Sequence, residues 1–227
     1  MHKQMKIEPN PTGPALSAVA SLHYETLPKS IISRLGLRYT QAFYRYAVAS
    51  KKEIVFVART ADGSVLGGAL LSLDPTSLTR RVVFGTPLAW HLLNHPRLLL
   101  EKVRDVLPAV FGRNSFPQRS MPELLAIFTR KGERGRGIGR ELLRHAESAL
   151  SQKGMRRYVV RTEARAENKA IMFYHREGFQ DIGRLSFHNH IFQVLMKEIH
   201  RGEGSQSGEG GYGSGVFDNA DVRFRNG

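Results

Sequence analysis

The sequence predicts an α/β chain of the α+β type, with a mixed central sheet of about six to seven strands flanked by helices. Three observations point there. Strand-type and helix-type stretches alternate along the chain, hairpin signals stand near both ends, and one long stretch after the third strand breaks the rhythm as a helical insertion would. A length of 227 residues with 41% hydrophobic and 24% charged residues suits one globular domain with a real core.

Taken in order, residues 5–9 (MKIEP) read as a short strand. Residues 14–27 and 30–50 read as two helices, with Pro14 and Ser30 at their starts. Residues 53–60 (EIVFVART) and 64–73 (SVLGGALLSL), joined through Asp62-Gly63, form a hairpin. The segment from about 75 to 118 is the helical insertion. Residues 123–129 (ELLAIFT) are a buried strand, and 137–154 an amphipathic helix with Ile138, Leu142, Leu143, Ala146 and Leu150 on one face and Gly154 closing it. Residues 156–163 give another strand, 168–179 a short helix ending at Gly178, and 181–187 with 190–199 a terminal hairpin. The domain therefore runs from 1 to 199. Residues 200–227, rich in glycine and serine and poor in aliphatics, read as a disordered tail.

The formal charge of +14 and a pI near 10.4 favour a polyanionic partner: nucleic acid, an anionic membrane or a phosphate-rich small molecule. With no cysteine, disulfides and thiolate metal sites are excluded, and no metal is expected. No apolar run reaches the length of a membrane span. The basic start is interrupted by Glu8, Pro9 and Pro11, so no signal peptide is read and a cytoplasmic protein is expected.

The stretch RGRGIGRELL, residues 134–143, carries the chemistry. It joins a buried strand to a helix N-terminus, where unpaired amides and the helix dipole favour an anion. Gly135, Gly137 and Gly139 remove the β-carbons that would hold a phosphate away and allow φ > 0, so that successive N–H groups of this loop, through Ile138, turn inward. Arg134 and Arg136 can add charge-assisted contacts. The loop lacks the Gly-Lys-Ser/Thr of a P-loop, and Arg140 stands where a dinucleotide fingerprint has its third glycine.

Residues 123–154 followed by TEARAENKAIMFYHREGF resemble the GNAT superfamily of N-acetyltransferases. In that family an Arg/Gln-x-x-Gly-x-Gly/Ala loop follows strand four, matched here by Arg134, Gly137 and Gly139. A later Asn and Tyr precede a Gly-Phe pair, matched by Asn168, Tyr174, Gly178 and Phe179. Lys131-Gly132 departs from the proline-led turn of many members. The resemblance covers about residues 5–199 and implies the GNAT fold, with the pyrophosphate of coenzyme A, usually as acetyl-CoA, as the anion and a cosubstrate rather than a metal cofactor, and with Arg136 and Arg140 as candidates for its outer phosphates. It also implies a bulged strand four whose amides at Ile127, Phe128 and Thr129 face the thioester and pantetheine. Tyr174 is the expected acid, since a phenol of pKa about 10 donates to a departing thiolate of about 8.5 without ionising. Asn168 is expected at the helix start, as a cap or a pantetheine contact. Glu123, at the mouth of strand four, and Glu163, at the end of strand five, are the candidate bases.

The acceptor is expected to be a primary amine, either a small metabolite or an amino sugar. The N-terminal helices resemble, more loosely, those of a bacterial subgroup linked with polysaccharide or sugar modification. A protein or peptide amine is the second reading. A nucleic-acid-binding protein ranks below both, because the arginines are dispersed and no zinc-finger, RNA-recognition or basic-zipper pattern occurs. Within the insertion, Leu99, Val103, Val106, Leu107 and Val110 form an apolar stripe, read first as packing on the sheet. Its sharper alternative, with Trp90 and the basic face, is peripheral contact with an anionic membrane. His188 and His190 read as turn residues rather than metal ligands, for want of a third ligand.

Overall fold

The computed structural model describes residues 5–85, 121–165, 167–187 and 190–199. Trp90, the stripe from Leu99 to Val110, His188 and the tail lie outside them.

Among the described residues seven strands form one sheet in the order β1-β2-β3-β4-β5-β7-β6. These are β1 (Met5–Pro9), β2 (Glu53–Thr60), β3 (Val65–Ser72), β4 (Glu123–Thr129), β5 (Arg157–Glu163), β6 (Gln180–Phe187) and β7 (His190–Glu198). Every neighbouring pair is antiparallel except β4 and β5. That parallel pair requires a crossover, which is the helix α5 (Ile138–Gln152).

The predicted helix over 30–50 is two helices, α2 (Ile31–Arg34) and α3 (Leu37–Ala49), after α1 (Gly13–Thr26). Gly36 separates them with φ of 96°, a left-handed conformation that no helix interior accommodates. Ser30 caps α2 by accepting from the Ser33 amide. The insertion opens with α4 (Pro75–Gly85), whose first-turn Ser77 amide donates to Asp74; the rest of that segment lies outside the description.

The two faces of the sheet carry separate cores. Val55, Val57, Leu70 and Phe128 pack with Val19, Tyr39, Phe43 and Tyr44 of α1 and α3. Phe56, Ala58, Leu71, Leu124, Val160 and Leu195 pack with the α5 stripe, in which Ile138, Leu142, Leu143, Ala146 and Leu150 are all buried as the periodicity predicts. Gly154, with φ of 71°, ends α5 as its amide donates to Ser151 O while Met155 N donates to Leu150 O. In the middle of β3, Gly67 and Gly68 let both layers approach the sheet. A β-carbon on Gly67 would lie 2.7 Å from Phe128 O and 3.2 Å from Ile138 Cγ2, and one on Gly68 would lie 2.5 Å from Val19 Cγ2. The first residue of α5, beside the glycine loop, is thus seated directly on the sheet.

Candidate active site

β4 and β5 are paired at only two positions, Glu123 with Val159 and Leu124 with Val160. Beyond them, among the described residues, the facing edges of both strands are unpaired. At the same point the β3–β4 register slips: Leu70 faces Ala126 and Leu71 faces Leu124, which leaves Leu125 without an opposite residue. The bulge is therefore at Leu125, not within Ile127, Phe128 and Thr129, and it lies where β5 departs. The direction of each later amide follows from the ladder. Arg130 N donates to Leu66 O at 2.7 Å, so alternation turns the Phe128 amide toward β3 and the amides of Ile127 and Thr129 toward the gap. Phe128 is committed to the sheet by its side chain too, packed on the α1 face.

Past Thr129 a single 3₁₀ turn, Lys131–Glu133, takes up the extra length that Lys131-Gly132 introduces. Arg134 has φ of −65°, Gly135 81° and Gly137 79°, and Arg136 is not among the residues of positive φ. Gly135 and Gly137 thus both adopt the positive φ that glycine takes without strain. A β-carbon on Gly135 or Gly137 would meet nothing within 4 Å, so the loop is lined by open space and the glycines are there for their φ. The first loop-to-helix bond is Glu141 N to Gly137 O, so the amides of Ile138, Gly139 and Arg140 belong to the unsatisfied first turn of α5. Ile138 itself points its side chain into the core, and Gly139 faces Phe173, 3.4 Å from where a β-carbon would be.

Of the three arginines, Arg136 reaches Glu133 at 2.7 Å, and Arg140 Nε reaches both oxygens of Glu177 at 2.9 and 3.2 Å. These are exposed pairs of little net strength, so a phosphate group arriving at the loop can replace them. Arg134 is exposed and bonds none of the described residues.

The helix α6 (Lys169–Arg176) lies beyond β5. Asn168 is its N-cap, accepting from Ala170 N at 3.1 Å, while its amide nitrogen donates to Glu163 O at 2.7 Å and Thr162 Oγ1 at 2.8 Å. It is the helix cap, and it fastens α6 to the end of β5. Tyr174 is buried between Phe173 and Phe179, with ring centroids 5.4 and 5.1 Å away. Among the described residues its hydroxyl has no hydrogen-bond partner. Burial pushes its pKa further above the ordinary phenol value.

Glu123 is not at an open mouth but at the joined end of β4, 7% exposed, where Arg161 grips it in a bidentate pair with Nε 2.6 Å from Oε1. Glu163, at the unpaired end of β5, is partly exposed and meets the exposed Arg165 at 3.1 Å. Among the described residues no group of three His, Asp or Glu could hold a metal, and no helix is long and apolar enough to cross a membrane. His190 begins β7. A cavity lined by Ser151, Met155, Arg156 and Glu198 lies at the far end of α5 from the loop and contains none of these groups.

Residues 108–181 match the acetyltransferase (GNAT) domain model, which spans the bulged strand, the glycine loop, α5, β5 and α6. Similar solved structures include a GNAT-family protein of Desulfovibrio desulfuricans, at 12% identity, TM-score 0.59 and coverage of 87% of this chain and 100% of that one. The ribosomal-protein-S18-alanine N-acetyltransferase of Escherichia coli matches at 12% identity and TM-score 0.55, covering 88% and 97%. NAA60 of Arabidopsis thaliana, solved in complex with acetyl-CoA, matches at 15% identity and TM-score 0.54, covering 86% and 99%. No curated protein matches the sequence. This is the GNAT fold.

Residues 108–181 thus resemble a GNAT acetyltransferase domain, and one solved neighbour of this fold holds acetyl-CoA. The geometry fits that group. A diphosphate needs unpaired N–H donors with no side chain in the way, and the first turn of α5 supplies them at Ile138, Gly139 and Arg140 beside the open glycines 135 and 137; an extended diamide needs a free strand edge, and β4 presents Ile127 and Thr129. Two features of this candidate site escape sequence reasoning. The bulge at Leu125 is a property of register, with no signal in ELLAIFT itself. The Arg161–Glu123 pair joins residues on neighbouring strands, and only the knowledge that β4 and β5 are adjacent could have suggested it.

Proposed function

We propose that this protein is an N-acetyltransferase that moves an acetyl group from acetyl-CoA to a primary amine by direct attack in a ternary complex. The observation that carries the reading is a succession along one strand: pairing of β4 to β5 ends, β4 bulges at Leu125, and a glycine loop leads into the unsatisfied first turn of α5. Acetyl-CoA, when bound, supplies an activated acetyl thioester. The chain's own residues do the rest. The amides from Gly135 to Arg140 hold the diphosphate, with Arg134, Arg136 and Arg140 at its edges. Ile127 and Thr129 hold the pantetheine along β4, and the main-chain amides at the bulge face the thioester carbonyl, where they stabilise charge developing on its oxygen. Tyr174, kept protonated by burial, donates to the leaving sulfur. Glu163 takes the proton of the acceptor ammonium, directly or through water; Glu123, with both oxygens held by Arg161, is the anchor of that arginine.

Small amines, amino sugars among them, are the acceptors we propose, in the bacterial sugar-modifying manner that the N-terminal helices suggest. Calorimetry with acetyl-CoA, followed by a panel of amines with detection of released thiol, tests the function. We expect saturable binding near one site per chain and thiol release that depends on amine. Absence of binding to any acyl-CoA by well-folded protein would overturn it.

A further inference from the structure

The pair between Glu123 and Arg161 uses only part of the guanidinium. Nε donates to Oε1 at 2.6 Å and Nη2 to Oε2, while nothing among the described residues accepts from Nη1. The carboxylate is 7% exposed and the arginine side chain 37%, so one edge of the fork is locked into the sheet and the other is open. Its place is specific. Arg161 immediately follows Val160, the last β5 residue paired with β4, so it stands where the two strands part. Val160 packs in the core under α5; alternation along β5 therefore turns Arg161, and Glu163 after it, onto the opposite face, the face of α1 to α3. An incoming amine approaching the parted strands on that face meets a fixed cation and, roughly 7 Å further along the strand, a carboxylate.

We infer that Arg161 is a specificity-determining residue that receives an anionic group of the acceptor, so that the amine acetylated here carries a carboxylate or phosphate close to its nitrogen. The inference rests on the acetyltransferase reading and narrows its substrate class. Arg161 offers a planar pair of N–H donors already oriented by Glu123, so little ordering accompanies binding, and a lysine at that position would lack the fork. Glu163 faces the ammonium while Arg161 faces the anion, an arrangement that a zwitterion fills and a neutral amine does not. The net charge of +14 acts in the same direction, concentrating anionic amines and repelling polycations. Glu123 is then a positioning residue: it holds the fork without touching the acceptor.

The test compares matched acceptors: an α-amino acid against its carboxamide, and glucosamine 6-phosphate against glucosamine. For whichever anion is correct, the charged member should show a KM about tenfold or more lower than its neutral partner. Because Arg161→Gln alone would strand a buried carboxylate, the double variant Glu123→Gln/Arg161→Gln and the single Arg161→Lys are used, with thermal melts to confirm folding. The double variant should lose the preference and Arg161→Lys should weaken it, seen in KM rather than in CoA affinity. A second arm titrates acetylglycine and glucose 6-phosphate, against their neutral counterparts, into the protein with and without CoA, and expects binding of an anion that the double variant lacks. Equal KM values for charged and neutral acceptors, or anion binding that survives in the double variant, would overturn the inference while leaving the acetyltransferase reading intact. Failure of CoA to bind would overturn that reading separately, and the anion titration without CoA would still decide the role of Arg161.

Discussion

The imidazole of His23 on α1 stands edge-on to the ring of Phe128 on β4, with centroids 5.1 Å apart. The same ring reaches Tyr44 Oη through Nδ1 at 2.8 Å and Ser30 Oγ through Nε2 at 2.9 Å. One buried histidine thus joins α1, the cap of α2, and α3, and rests on the strand that carries the site.

That burial sets a pH dependence. Desolvation lowers the His23 pKa from 6.5 to about 4, so the unfolded chain takes up a proton before the folded one does. Its contribution is complete above the unfolded value and is lost as pH falls from there through the folded value, by roughly 3 kcal/mol in all. Urea unfolding at neutral pH and at pH about 4.5 should show this loss in the wild type and a smaller one in His23→Gln. Equal pH dependence in the two proteins would count against the assignment.

Close packing on both faces of β3 gives a second expectation. A β-carbon at Gly68 would lie 2.5 Å from Val19 Cγ2 and 2.9 Å from Phe128 Cζ, and neither neighbour can leave the core. Gly68→Ala should destabilise by about 1–3 kcal/mol, a fall of several degrees in melting temperature. Gly67→Ala meets backbone at Phe128 O and should be at least as damaging, whereas Gly132→Ala, with open space around it, should change the melt little.

Gly137 separates folding from binding. Its φ of 79° makes Gly137→Ala cost about 1 kcal/mol of backbone strain. Beyond its chain neighbours nothing lies within 4 Å of the new methyl group, so it adds bulk to the open side of the loop without a clash in the fold. Calorimetry should find acetyl-CoA bound at least tenfold more weakly by a variant that still melts within a few degrees of the wild type.

The hydroxyl of Tyr174 has no described partner, so its removal should cost the fold little. Tyr174→Phe should lower kcat about 100-fold or more with CoA affinity unchanged. Because burial raises the pKa of this phenol, the wild-type rate should not fall from its ionisation at mildly alkaline pH. Undiminished kcat in the variant would remove the acid role.

Asn168 has two separable jobs. Asn168→Asp keeps the acceptor for Ala170 N and loses both donor contacts, to Glu163 O and Thr162 Oγ1; Asn168→Ala loses all three. Thermal melts should rank wild type above Asp above Ala, with the cap worth about 1 kcal/mol.

Element types were legible in the sequence because they depend on near neighbours. The α5 stripe repeats every three to four residues, and all five of its predicted members are buried. The glycine loop was legible for the same reason: Gly135 and Gly137 adopt the positive φ that their spacing suggested. The single helix read over 30–50 failed at Gly36, where apolar periodicity continues across a residue whose backbone turns left-handed. Sequence placed Glu123 at a mouth and spread the bulge over Ile127, Phe128 and Thr129, because a strand read in isolation does not show which end is joined to its neighbour.

By itself, then, the chain determined a strand, a glycine turn and an amphipathic helix in succession, with the unsatisfied amides that this succession creates; local dihedral preference and periodicity suffice for that. Tertiary structure alone decided that β4 slips at Leu125, that β5 leaves it after Val160, and that Arg161 meets a carboxylate 38 residues away. Each of these depends on the alignment of one strand against another, and such alignment is set by how two opposing cores pack on one sheet rather than by residues adjacent in the chain.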